Sequence, residues 1–157
     1  MATSELTSRR AVPADPDALT DLVIRSKASN GYSAAFMQAF RPELVIGPDS
    51  LDAGEIWVMQ SGPDLAGVMH VVVEGQVAEV EVMFVEPAFK RTGVGRRLWL
   101  LVEERTKALG GRRIELDADP FAVAFYEAMG CSLIGHTPSG SIPGRMLPRM
   151  RKRLTAG

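Results

Sequence analysis

The chain has 157 residues, 46% of them apolar and 24% charged, with a formal net charge of −1. That is the size and balance of one globular domain, able to bury a core without staples or metals. Near-neutral charge gives no whole-chain attraction to nucleic acid or to an anionic membrane. The single cysteine, Cys131, excludes an internal disulfide framework and suits a reducing compartment. Pro13, Asp15, Pro16 and Asp17 break up any N-terminal signal stretch, and no apolar run approaches the roughly 20 residues that span a bilayer. A soluble cytoplasmic protein with one domain over 1–157 is expected.

In chain order, Ser8 to Val12 reads as a short first strand. Asp15 and Asp17 offer N-cap chemistry ahead of Leu19, Leu22 and Val23, whose spacing is helical. Asn30-Gly31 breaks that helix, and Tyr32, Phe36, Met37 and Phe40 predict a second one. Arg41-Pro42 should end it, because a residue before proline is pushed away from helical angles. Three strands follow: Glu55 to Gln60, Leu65 to Val73 and Gln76 to Val85. Ser61-Gly62-Pro63-Asp64 and Glu74-Gly75 are the turns between them.

Gly93 to Leu109 reads as a long helix with Val94, Leu98, Leu101, Val102 and Leu109 on one face and Gly110-Gly111 as its stop. Arg113 to Leu116 reads as a strand, Pro120 to Met129 as a helix and Cys131 to Gly135 as the start of another strand. Thr137 to Gly144 has loop composition, and a last strand through Met146 to Leu154 is interrupted by Pro148. There is no internal repeat and no heptad pattern. The order predicts an α/β (α+β) domain whose sheet is antiparallel early and receives a helix crossover later.

The stretch from Val80 to Leu98 carries the chemistry. A strand that runs through a short glycine-bearing loop into a helix points free N–H groups at one spot, and the helix dipole adds partial positive charge. Gly93 and Gly95 remove Cβ atoms from that approach, and Lys90, Arg91, Arg96 and Arg97 add cationic charge. The place suits a phosphate or pyrophosphate. It is not a P-loop, since Gly-Lys-Ser/Thr is absent, and the dinucleotide pattern G-x-G-x-x-G fails at Leu98.

Val85-x-Pro87-x-x-Lys90-x-x-Gly93-x-Gly95-x-x-Leu98 resembles the acetyl-CoA pyrophosphate loop of the GNAT superfamily of N-acetyltransferases, usually [QR]-x-x-G-x-[GA]. Downstream, Asp119-Pro120-Phe121-Ala122-Val123-Ala124-Phe125-Tyr126-Glu127-Ala128-Met129-Gly130 is similar to that family's second motif, N-x-x-A-x-x-F-Y-E-x-x-G-F. The two lie in the family's order. Lys90 stands where Gln or Arg is usual, Asp119 replaces Asn and so loses a donor, and Cys131 replaces an aromatic residue.

The resemblance implies a GNAT-type mixed, largely antiparallel sheet of six to seven strands flanked by about four helices. It implies acetyl-CoA as cofactor and direct transfer of the acetyl group to a primary amine. Met83, Phe84 and Val85 would meet the pantetheine through the main chain, at a bulge where the strand splays from its neighbour. A main-chain N–H there would hold the oxyanion. Lys90, Arg91, Thr92, Gly93, Val94, Gly95 and Arg96 would hold the pyrophosphate, with Asp119 and Tyr126 also at the cofactor. Tyr126 would protonate the leaving thiolate.

Glu79 and Glu81 share a strand face with Met83 by period-two spacing, and Glu81, nearer the thioester, is preferred as base over Glu79 or water. His70 reads as a hydrogen-bonded core histidine, His136 as exposed in a loop and Cys131 as a buried apolar residue. Tyr32, Phe36, Phe40, Trp57 and Arg145, with the loop from Thr137 to Gly144, are the acceptor-site candidates. No metal is expected. The partner is a small-molecule or peptide amine, not nucleic acid or membrane, and a homodimer is left open. Two other readings stay open: a non-catalytic acyl-CoA sensor module on the same fold, and a nucleotide-binding domain.

Overall fold

Two glycine turns fold the first sheet strands onto each other. Gly62 and Gly75 take φ of 57° and 60°, values that cost a residue with a Cβ, and each begins a two-residue connection. In a computed structural model that describes residues 5–155, these turns join β2 (Glu55–Ser61) to β3 (Asp64–Glu74) and β3 to β4 (Val77–Val85). Ahead of them come β1 (Leu6–Arg10), α1 (Pro16–Ala28) and α2 (Ala34–Leu44). After them come α3 (Val94–Ala108), β5 (Arg113–Asp117), α4 (Val123–Ala128), β6 (Ser132–Pro138) and β7 (Met146–Arg153). Short 3₁₀ turns lie at Pro48–Asp52, Pro87–Phe89 and Pro120–Ala122.

The seven strands form one sheet in the order β1-β2-β3-β4-β5-β7-β6, antiparallel throughout except between β4 and β5. The parallel pair is joined by α3, the crossover such a connection requires. Among the described residues, seven strands and four α-helices make the mixed, largely antiparallel α/β architecture that the resemblance implied.

Apolar residues fill both sheet faces. On one, Leu98, Trp99 and Val102 of α3 pack with Met69, Val71, Ala78, Ile114 and Met150. On the other, Leu19, Leu22 and Val23 of α1 and Phe40 of α2 pack with Ile56, Val58 and Val68. Truncating one of these buried leucines to alanine is expected to cost about 2–5 kcal/mol. Among the described residues no helix is long and apolar enough to cross a membrane.

Several local expectations are revised. The first strand lies at Leu6–Arg10, earlier than Ser8 to Val12. Asp15 sits at the N-cap of α1 but does not cap it with its side chain. Its carboxylate accepts from Arg9 at 2.8 and 3.0 Å and from the Val12 amide at 2.7 Å, which holds it below the usual carboxylate range. α2 continues through Pro42 to Leu44. Gln38, whose carbonyl loses its donor, is on the exposed side, while burial of Leu44 holds the last turn down.

Leu109 caps α3 and is largely exposed rather than part of its apolar face. The segment from Pro120 to Met129 divides into a 3₁₀ turn and the short α4. β6 extends to Pro138, so the exposed His136 lies on a strand and not in a loop. Pro148 does not interrupt β7. It falls just past the last β5–β7 pair, where its carbonyl still accepts from the Ala118 amide at 2.8 Å and its missing donor removes only the return bond at the end of the ladder.

Candidate active site

β4 is where sequence period and structure part. Val71 pairs with Val80 but His70 pairs with Val82, so Glu81 is an extra residue in a β-bulge. A bulge shifts the alternation of side chains by one. Ala78 and Val80 face α3 before it and Met83 and Val85 face α3 after it, whereas Val82 and Phe84 face α1. Glu79 therefore does not share a face with Met83, as period-two spacing had predicted.

The parallel ladder with β5 reaches only from Val77–Arg113 to Glu79–Glu115, and beyond it β4 and β5 splay apart. The Glu86 amide bonds to the Ala66 carbonyl at 2.9 Å. Alternation then turns the main-chain groups of Phe84 and Val82 toward β3, and those of Val85 and Met83 into the gap. Phe84 is thus not positioned for a main-chain contact in the gap; its side chain lines the cavity there.

That cavity holds about 880 Å³ and runs from the loop before α3 to Tyr126. At its mouth Arg91 and Gly93 take φ of 63° and 89°, the left-handed region. For Arg91 this costs roughly 1–2 kcal/mol, a strain typical of functional loops. Gly93 is the N-cap of α3 and offers no side chain to its first turn. Among the described residues the amides of Arg91 to Arg96 have no acceptor in the chain, whereas the Arg97 amide bonds to the Gly93 carbonyl at 3.1 Å. The Thr92 hydroxyl donates to the Phe89 carbonyl and braces the loop from within.

The two glycines differ. A Cβ on Gly93 would meet nothing within 4 Å, so the backbone angle is what demands glycine there. A Cβ on Gly95 would stand 3.2 Å from the Phe125 ring, so Gly95 makes room for α4 to pack. Lys90, Arg91 and Arg96 line the cavity mouth, with Lys90 donating to Ser29 Oγ. Arg97 turns away, toward the Leu6 carbonyl at 3.4 Å.

Tyr126 is buried, its ring edge-on to Trp99 at 5.8 Å and to Phe125 at 5.3 Å between centroids. Its hydroxyl has no hydrogen-bond partner among the described residues, yet it is not sealed in, because the residue lines the cavity. Burial pushes its pKa well above the usual phenol value. Of the two glutamates on β4, Glu79 is taken up by Arg149, at 2.5 and 2.7 Å. Glu81 has no such partner and lines the cavity. Its pKa is raised, first by desolvation and then by the neighbouring Glu79 charge.

His70 is buried with Nε2 against the Ala53 carbonyl at 2.5 Å, so that nitrogen carries the proton and the ring is a structural tie. Cys131 is buried and its thiol is pushed up to about 11 by desolvation, which leaves it inert at neutral pH.

Asp119 has other partners than a cofactor. Oδ2 takes Lys27 Nζ at 2.5 Å and the Tyr32 hydroxyl at 2.9 Å, and Oδ1 takes the Phe121 amide at 2.9 Å. Burial alone would raise its pKa, but the Lys27 and Phe121 bonds outweigh that and hold the carboxyl below its usual range. Tyr32, desolvated and bonded to this carboxylate, is pushed up to about 12. Arg145 donates to the Tyr32 hydroxyl at 2.7 Å and lies over the Phe40 ring at 4.9 Å.

None of Tyr32, Phe36, Phe40, Trp57 or Arg145 lines the cavity. Tyr32, Phe40 and Arg145 stand behind its wall. Trp57 packs with the α3 cluster, donates to Glu55 at 2.8 Å and lies between Arg10 and Arg105. The wall itself is formed there by Val23, Lys27, Leu44, Phe84, Phe121 and Leu147.

Residues 24–152 match the family model described as acetyltransferase (GNAT) domain. The chain belongs to the GNAT acetyltransferase family. The fold is similar to that of a GCN5-related N-acetyltransferase from Rhodopseudomonas palustris, with TM-score 0.78, 19% identity and coverage of 98% of this chain and 99% of that one. It is also similar to PaiA N-acetyltransferase from Thermoplasma acidophilum, solved with coenzyme A, with TM-score 0.73, 17% identity and coverage of 95% and 99%. A third is the ribosomal-protein-S18-alanine N-acetyltransferase of Escherichia coli, with TM-score 0.71, 18% identity and coverage of 98% and 97%. No curated protein matches the sequence.

Within this GNAT domain Lys27 carries no signal in the sequence, and Arg149, which composition places on a solvated strand edge, is instead paired with Glu79, Glu115 and Asp117. Both are long cations whose partners lie far off in sequence, Asp119 for Lys27 and Glu79 for Arg149. No local pattern signals such a pair. The only available hint was Asp119 itself, a charge where the family carries a neutral amide.

Proposed function

We propose that this GNAT domain is an acetyl-CoA-dependent N-acetyltransferase that moves the acetyl group to a primary amine by direct attack within a ternary complex. The observation that carries the reading is the row of amides from Arg91 to Arg96 that have no acceptor among the described residues, around a left-handed Gly93, at the mouth of a cavity that reaches Tyr126. The residues present fit the coenzyme. Open amides at the N-terminus of α3, with Lys90, Arg91 and Arg96 beside them, suit a diphosphate. The gap between β4 and β5, faced by main-chain groups of Met83 and Val85, suits an amide-bearing arm laid alongside a strand. The coenzyme supplies an activated thioester.

The chain's own groups do the rest. A main-chain N–H of β4 at Met83 or Val85 polarises the carbonyl and steadies the charge that develops on its oxygen. Glu81, with its raised pKa and no ion pair among the described residues, takes the proton of the attacking amine, directly or through water. Tyr126 would give its phenolic proton to the thiolate that leaves when the amine takes up the acetyl group. Burial that raises the phenol pKa also raises the basicity of a thiolate released into the same cavity, which keeps the transfer matched. The acceptor is a small-molecule or peptide amine. The reaction belongs to a reducing cytoplasmic setting, in which Cys131 stays a thiol.

Thiol release from acetyl-CoA, followed across a panel of amines, tests the reaction. Heat-unfolding shifts with coenzyme A, acetyl-CoA, ATP and NAD test the ligand. Protection by the coenzyme with no thiol release for any amine would favour an acyl-CoA sensor on this fold, and protection by ATP or NAD alone would overturn the reading.

A further inference from the structure

Each α-helical residue advances about 100° around the axis, so Arg25 and Ser29 lie on one side of α1 and Lys27 lies roughly 200° round from Arg25. The two sides hold different lips of the cleft. Arg25 bonds Glu86 at the end of β4, at 2.8 and 3.0 Å, and Ser29 receives Lys90 of the following loop. Lys27 reaches past the end of β5 to Asp119. Beyond Glu79 and Glu115 no ladder bond joins β4 to β5, so on this face the last turn of α1 ties the two lips together.

Lys27 is an unusual residue for such a place. It is only 8% exposed, and its ammonium lies over Phe40 and Tyr32 at 4.5 and 5.2 Å from the ring centroids. A buried ion pair adds little stability over apolar residues of the same volume, because desolvation offsets the attraction. What such a pair fixes well is a position. Asp119 is also the cap of the turn that leads into α4, through the Phe121 amide, so holding Asp119 holds the helix that carries Tyr126.

We propose that the last turn of α1 is a clasp that sets the width of the β4–β5 cleft, with Lys27 as its positioning residue on the β5 side. The proposal rests on the coenzyme reading above, since the cleft is where the pantetheine arm lies. Lys27 does not touch the phosphate loop, so its loss acts on the arm and not on the phosphates.

The test compares two ligands by calorimetry: coenzyme A, and adenosine 3′-phosphate 5′-diphosphate, which keeps the phosphates and lacks the arm. Lys27→Met is paired with Lys27→Met/Asp119→Asn. The double variant removes the charge that the single one leaves unpaired, and it keeps an oxygen for the Phe121 amide, so it remains folded. In the double variant the Kd for coenzyme A rises about tenfold or more, while that for the nucleotide stays within about twofold. Unchanged coenzyme A affinity, or equal weakening for both ligands, overturns the clasp and leaves Lys27 a structural counter-charge. Wild-type protein that binds neither ligand overturns the coenzyme reading and the clasp with it.

Discussion

The two ends of the cavity are built from different materials. At the loop before α3 the cavity wall is main chain: amides with no acceptor among the described residues, set by the geometry of Arg91 and Gly93, with cationic side chains around them. At the opposite end it is side chains held by other side chains: Lys27 and Asp119 line the wall, and Tyr32 and Arg145, bonded to Asp119 in series, stand behind it. Amides pointed by backbone angles tolerate many neighbouring residues and keep one ligand class. A wall made of side-chain pairs changes shape with each substitution.

That contrast is breakable. The largest effect is expected from Gly93→Glu, which forces a non-glycine into φ of 89° and places negative charge among the open amides. Coenzyme A binding should fall at least about a hundredfold by calorimetry, since both strain and charge repulsion act; unchanged affinity would show that the main-chain end is not a phosphate site. Tyr126→Phe comes next. Its hydroxyl has no protein partner among the described residues, so the fold should hold, while kcat falls about 10²–10³-fold with acetyl-CoA affinity nearly unchanged. Equal loss in both would remove the acid assignment.

Glu81→Gln should lower kcat/KM about 10–100-fold and abolish the acidic limb of the pH–rate profile. Its effect on stability runs the other way. The folded-state pKa of Glu81 is raised, so the ionised carboxylate disfavours folding once the pH rises through that pKa. The glutamine variant should therefore melt slightly higher than wild type at neutral pH. That advantage disappears below the normal carboxylate range, where the glutamate is neutral in both states. A lower melting temperature at neutral pH would contradict the raised pKa.

Glu79→Gln sharpens the comparison from the other side. It loosens Arg149 and should change kcat by less than about threefold, because Arg149 keeps Glu115 and Asp117 at 3.2 Å each. The smallest functional effect is expected at Trp57. Trp57→Leu gives up its bond to Glu55 and its contacts with Arg10 and Arg105, at a cost of about 1–2 kcal/mol in a denaturant melt. The KM for any acceptor should not change, because Trp57 faces α3 and is absent from the cavity wall.

Much of the loop before α3 and of the turn into α4 was legible in the sequence because its signals are local. Gly93, Gly95, Phe125 and Tyr126 act within single turns of chain, and the order of strands and helices follows from hydrophobic period and turn residues over short windows. Even there, sequence could not say that Gly95 is demanded by the Phe125 ring while Gly93 is demanded by its own φ, since one reason is a contact across helices and the other a backbone angle.

Tertiary structure alone decided the rest. The bulge at Glu81 reverses which residues of β4 face which layer, and a single inserted residue leaves no mark on a valine-rich pattern. Which glutamate is free depended on Arg149, 70 positions away in the chain, and Asp119 met Lys27 across 92. Charge pairing is set by distance in space, and a chain read in order carries no measure of that distance until the sheet has brought its ends together.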